Sequence, residues 1–218
     1  MTGIKICGIR DRETMVLCAD LKVDWVGFVF HPASPRFLTI DQASELDRSV
    51  PAASEKGPER AGLFVGASDD TIARTLAAVQ LNVLQIYDTA ERAAEIREKF
   101  GRPVWLAKGI KTAEDLPQYA VTDGYVIESP RTATDTRPGG LGRTFEWSLT
   151  AGWKAPCFWM LAGGLTPANV KNALRIAHPP AVDVSSGVEK ERGHKSPLLI
   201  KNFVENIRQG VDLKSPLP

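Results

Sequence analysis

The chain has 218 residues, of which 43% are hydrophobic and 24% charged, with a formal net charge of +1. That length can bury a large single core, and the balanced charge excludes a broad basic field for nucleic acid or an anionic membrane surface. Three scattered cysteines (Cys7, Cys18 and Cys157) exclude a disulfide framework or a zinc knuckle and suit reduced thiols in a cytoplasmic protein.

I-K-I-C (4–7) reads as a short first strand. D-R-E-T-M-V-L-C-A-D-L (11–21) has helical spacing, with Asp11 placed as its N-cap. W-V-G-F-V-F (25–30) is the densest apolar run, too short to cross a bilayer and suited to a strand. P-A-A-S-E-K-G-P-E-R (51–60) reads as an exposed loop before a third strand, A-G-L-F-V (61–65). Helical patterns at 69–79 and 89–100 flank a fourth strand, N-V-L-Q-I (82–86). V-W-L-A-K (104–108) and Y-V-I-E (125–128) follow as strands five and six. A long loop (129–143) precedes strand seven, C-F-W-M-L (157–161), after which Thr166 and Pro167 mark a helix start. A-V-D-V (181–184) is the eighth strand, and 211–218 reads as a frayed tail. Strand then helix, eight times, predicts a single α/β domain over 1–210, a (β/α)8 TIM barrel. A doubly wound sheet is the alternative architecture, but it usually has fewer strands at this length.

Strand alternation says which side chains enter the barrel. Ile4 and Ile6 share the outer face, leaving Lys5 and Cys7 inside. In the same way Glu128, Asp183 and Ser185 point inward at the C-terminal strand ends, where barrel active sites sit. The first and sixth strands lie nearly opposite in a closed barrel. A thiol and a carboxyl therefore flank one ligand from two sides, which suits an acid and a base. Lys5, about 6–7 Å from Cys7 along the strand, should favour the thiolate. Asp183 is the partner expected for Lys5, in a pair that is either functional or only structural.

G-G-L-G (139–142), L-A-G-G-L-T-P (161–167) and D-V-S-S-G-V (183–188) place glycines in the last three strand-to-helix loops. Backbone N–H groups in such loops close on an oxyanion, so the set predicts a phosphate-bearing ligand. Neither a Walker loop nor a dinucleotide fingerprint fits. Arg36, in the loop after strand two, is either a surface residue or a planar fork for a carboxylate at the pocket mouth. His31, His178 and His194 have no metal-ligand spacing, so no metal is expected. Trp147 is placed to brace the phosphate loop.

Five motifs, K-I-C-G-I, G-F-V-F-x-P-x-S-P-R, P-G-G-x-G-x-x-F-x-W, L-A-G-G-L-T-P and V-D-V-S-S-G-V-E, occur in order over residues 5 to 189. Together they resemble the phosphoribosylanthranilate isomerase family of tryptophan biosynthesis. The resemblance implies a cofactor-free aldose–ketose isomerase acting by acid–base catalysis on a small phosphosugar, as a monomer or homodimer. It implies Cys7 as general base and Glu128 as general acid. Arg36 matches the residue that holds the anthranilate carboxylate, and Gln85 and Asp183 the residues that bind substrate. Gly139, Gly140, Gly142, Gly163, Gly164, Ser185 and Ser186 match the phosphate site.

Two residues depart from the pattern. Glu128 stands where the family usually has Asp, leaving Asp135 as a second candidate acid. Tyr87 stands where it often has His, and no role is carried over to it. Another phosphosugar barrel, such as an indole-glycerol-phosphate synthase, and a non-catalytic phosphate-binding barrel remain the competing readings.

Overall fold

The computed structural model describes residues 1–130 and 144–209. Eight parallel strands close into a barrel in sequence order. They are β1 (Gly3–Cys7), β2 (Trp25–Val29), β3 (Glu59–Val65), β4 (Val83–Tyr87), β5 (Val104–Gly109), β6 (Gly124–Glu128), β7 (Phe158–Leu161) and β8 (Ala181–Val184). The barrel is sealed by β1 against β8, with Lys5 opposite Asp183. All eight expected strands are present, with small shifts at their ends.

Six α-helices are present among the described residues: α1 (Arg12–Asp20), α2 (Ile40–Asp47), α3 (Asp69–Ala78), α4 (Ala90–Phe100), α5 (Val170–Ala177) and α6 (Pro197–Arg208). Asp11 caps α1 as expected, its carboxylate accepting from the Thr14 amide. Among the described residues the expected repeat of strand then helix is not seen after β5 and β6, where short 3₁₀ turns, Ala113–Asp115 and Trp147–Thr150, stand instead. Pro117 in the first segment and Gly152 and Pro156 in the second discourage a longer helix. Thr166 and Asn169 exchange side-chain–amide bonds across a turn that precedes α5, so the helix proper starts at Val170.

The 51–60 loop also holds a correction. Glu59 and Arg60 belong to β3, and Arg60 is only 1% exposed. Its guanidinium binds Asp47 Oδ1 at 2.9 Å and the carbonyls of Asp47, Val50, Pro51 and Pro58. A charge can be buried there because backbone acceptors surround it.

Two cores result. The larger lies between strands and helices and takes the outward residues, including Ile4, Ile6, Tyr125, Ile127, Val182 and Val184. The smaller fills the N-terminal half of the barrel interior, where Trp25, Trp105 and Phe158 pack ring against ring. That plug leaves the other end of the interior to polar groups. A short hairpin, β9 (Glu189–Glu191) with β10 (His194–Lys195), follows β8 and brings two more charged residues to the rim. The expected tail, 211–218, lies outside the described residues.

Candidate active site

The C-terminal strand ends surround a cavity with about 650 Å³ of empty volume, partly open to solvent. Cys7, Arg36, Tyr87, Glu128, Asp183, Ser185 and Ser186 line it, together with Gly163 and Gly164.

Cys7 ends β1 and is 4% exposed. Its neighbour on β2 is Gly27, where an added Cβ would lie 2.7 Å from the Cys7 sulfur. The missing side chain makes room for the thiol. Gly8 follows with φ +77°, and a Cβ there would meet Arg36 Cδ at 2.5 Å. The thiol-then-glycine order thus has a geometric cause: the chain turns sharply at the rim while Arg36 lies across it.

Lys5, fully buried, sits one layer down. Its Nζ is 3.0 Å from Asp183 Oδ1 and donates to Gln85 Oε1 at 2.8 Å. The Asp183 contact is a charge pair, and Asp183 Oδ1 is buried with no hydrogen-bond donor aligned on it among the described residues. Burial opposes the Lys5 ammonium, but Asp183 and then Cys7 outweigh it and its pKa rises. The expectation that Lys5 yields a ready thiolate is not met. Burial pushes the Cys7 thiol up by more than Lys5 and Lys195 pull it down. The Lys5 charge is shared with Asp183, which itself pushes the thiol up.

Glu128 ends β6, and its carboxyl is pushed up to about 8, first by burial and then by the charge of Asp183. Tyr87 and Lys5 work in the opposite direction. The Tyr87 hydroxyl donates to Glu128 Oε2 at 3.3 Å. A carboxyl with this pKa is mostly protonated at neutral pH and can serve as an acid.

Arg36 lines the pocket, but it is not an open fork. Its Nε and Nη2 donate to Glu189 Oε1 and Oε2 at 2.6 and 2.9 Å. Lys195 donates to the same carboxylate at 2.9 Å and to the Ser185 carbonyl at 2.8 Å. Burial alone would raise Glu189, yet Arg36 and Lys195 hold it down to about 2. What Arg36 offers a ligand is its remaining edge, Nη1.

Gln85 is fully buried, is absent from the pocket wall, and is bonded to Lys5 and Tyr87. Gly163 and Gly164, both at positive φ, and Ser185 and Ser186 share the wall with Cys7, as expected. Ser185 Oγ donates to the Cys7 carbonyl at 3.0 Å, tying the two loops together. His31 lines the cavity while His178 and His194 are exposed. Trp147 is buried in the outer core, and the loop it was expected to brace lies outside the described residues, as do Asp135, Gly139, Gly140 and Gly142.

Glu189 and Lys195 carry no role in the sequence reading. Glu189 ends a recognisable motif, but its partners are 153 and 6 residues away, and only the fold reveals the pairing.

The family model for N-(5'-phosphoribosyl)anthranilate (PRA) isomerase matches residues 4–206. An N-(5'-phosphoribosyl)anthranilate isomerase of Acidiphilium cryptum is 47% identical, covering 94% of this chain and 97% of that protein. One of Rhodospirillum rubrum is 45% identical, covering 96% and 99%. The crystal structure of phosphoribosyl anthranilate isomerase from Thermotoga maritima superposes with a TM-score of 0.81 at 31% identity, covering 96% of this chain and 100% of that one. A phosphoribosyl anthranilate isomerase in complex with reduced 1-(o-carboxyphenylamino)-1-deoxyribulose 5-phosphate superposes with a TM-score of 0.80 at 30% identity, covering 96% and 100%.

Proposed function

The chain belongs to the N-(5'-phosphoribosyl)anthranilate isomerase family, and from that premise we propose that its pocket works by acid–base catalysis between Glu128 and Cys7. The activity is the isomerisation of N-(5'-phosphoribosyl)anthranilate to 1-(2-carboxyphenylamino)-1-deoxyribulose 5-phosphate, a step of tryptophan biosynthesis. The observation that carries the division of labour is that Cys7 and Glu128 line one cavity together with the glycine and serine loops after β7 and β8.

Protonated Glu128 donates to the ribose ring oxygen. The ring C–O bond breaks, and the anilino nitrogen supplies the electron pair that forms a cationic imine at C1. Cys7 then removes the proton from C2, and the electron pair of that C–H bond moves to neutralise the imine, giving an enol-amine. Loss of the enol proton and protonation of C1 complete the ketone. Exchange with water restores the proton spent by Glu128 and removes the one collected by Cys7.

The raised thiol is not a defect in this scheme. The cationic imine forms beside Cys7 and favours loss of the thiol proton to water, giving the thiolate at the step that needs it. Asp183, held by Lys5, accepts from a sugar hydroxyl. Gly163, Gly164, Ser185 and Ser186 receive the phosphate, and Arg36 Nη1 the benzoate carboxylate. The partner is a small phosphosugar; neither nucleic acid nor a membrane has a part. Among the described residues no helix is long and apolar enough to cross a membrane. The enzyme works in the cytoplasm, as a monomer or homodimer.

The test is loss of phosphoribosylanthranilate fluorescence on adding purified protein. Decay matched by formation of the carboxyphenylamino-deoxyribulose phosphate supports the reading. Unchanged fluorescence at enzyme excess refutes it.

A further inference from the structure

From beneath the pocket floor into its wall, four residues on β1, β4 and β6 form a line of hydrogen bonds. Lys5 Nζ donates to Gln85 Oε1 at 2.8 Å. Gln85 Nε2 donates to the Tyr87 hydroxyl oxygen at 3.4 Å, and Tyr87 donates to Glu128 Oε2 at 3.3 Å. The direction of this line is forced. An ammonium has no acceptor, so Gln85 must turn its oxygen to Lys5 and its NH₂ toward Tyr87. With its oxygen accepting from Gln85, the phenol has one hydrogen left, and that hydrogen faces the Glu128 carboxyl.

We propose that Tyr87, oriented by Gln85, is a positioning residue that fixes the carboxyl of the general acid in the pocket. The proposal rests on the reading of Glu128 as that acid. Glu128 has one more rotatable bond than an aspartate at the same place, so its carboxyl needs a fixed contact to stay over the reacting oxygen. Displacement on the order of 1 Å costs about 100-fold in rate. The phenol is suited to the task. Burial first, and then the charge of Glu128, raise its pKa well above the ordinary value, so it remains a donor across the working range. The groups that act on the charge of Glu128 are Tyr87 on β4, Asp183 on β8 and Lys5 on β1. Of these Tyr87 is the one that donates to it among the described residues.

The test has a kinetic and a spectroscopic arm. Glu128→Gln identifies the Glu128 carboxyl band in infrared difference spectra by its loss, and it removes turnover if Glu128 is the acid. Tyr87→Phe should lower kcat about tenfold, the size expected for the loss of one hydrogen bond, with KM changed less than twofold. The Glu128 band should also titrate at higher pH, because the bond that favoured the carboxylate is gone. Replacing Tyr87 by 3-fluorotyrosine keeps the ring and strengthens the donor, so the band should move to lower pH. That arm remains readable if Tyr87→Phe fails to fold.

The proposal requires both the slower turnover and the displaced band. Either one unchanged in a folded Tyr87→Phe protein overturns it, and so does an unmoved band with fluorotyrosine. Full turnover in Glu128→Gln overturns it too, and is distinguishable because that result removes the acid reading itself.

Discussion

At the N-terminal end of the barrel, Trp25, Trp105 and Phe158 fill the interior with ring centroids 5.4 to 5.8 Å apart. At the other end Lys5, Arg36, Glu128 and Asp183 are all 8% exposed or less, yet each carries an ionisable group. The first end is stable because apolar area leaves water. The second must hold charges together by pairing and hydrogen bonds, and the burial that makes this costly is also what moves the thiol and the carboxyl away from their ordinary pKa values. Closing the floor with aromatic rings gives the polar end a solid base and leaves open space only where the chemistry happens.

The sharpest way to break this comparison is to remove the titratable proton of Glu128 from the polar end. Glu128→Gln keeps the shape and should lower kcat by about 10²–10⁴-fold, the range for loss of a general acid, measured by substrate fluorescence. The matching change at the floor should do the reverse. Trp105→Ala should cost about 3–5 kcal/mol of stability in denaturant unfolding while kcat stays within a few-fold.

A pH series sharpens the contrast. Glu128 has a folded pKa of about 8 against an ordinary 4.5, so it suits the folded state only while protonated. Wild type should therefore lose stability relative to Glu128→Gln as pH rises from 4.5 toward 8, with no further change above that. The loss should be on the order of 2–5 kcal/mol, read from unfolding curves along the series. Trp105→Ala should show no such divergence from wild type. The smallest effect belongs to a residue on the pocket side of the barrel but outside the pocket. Asp11→Ala removes the α1 cap and should cost about 1 kcal/mol with turnover unchanged.

The repetitive part of the molecule was legible in the sequence. Eight short apolar runs separated by helical patterns announce eight strands, and alternation alone put Lys5, Cys7, Glu128 and Asp183 inside. Arg60 was not legible, because nothing in P-E-R tells that five acceptors wait around one guanidinium. Arg36 was placed at the cavity it lines, but its second partner, Glu189, was not foreseen. Its Glu189 clamp depends on the β9–β10 hairpin, which has no period to read. Gln85 entered as a ligand contact only through the family resemblance, and its full burial and its bonds to Lys5 and Tyr87 could not be read from the sequence. The sign of the Cys7 shift depends on desolvation, which a linear sequence does not display.

The most direct test of the whole account is turnover by Cys7→Ser at saturating substrate, with binding of the reduced product analogue measured alongside. The account expects the analogue to bind much as it does to wild type while turnover falls by about 10²–10⁴-fold. Turnover near the wild-type rate would contradict it, since the proton at the sugar carbon would then be leaving by another route.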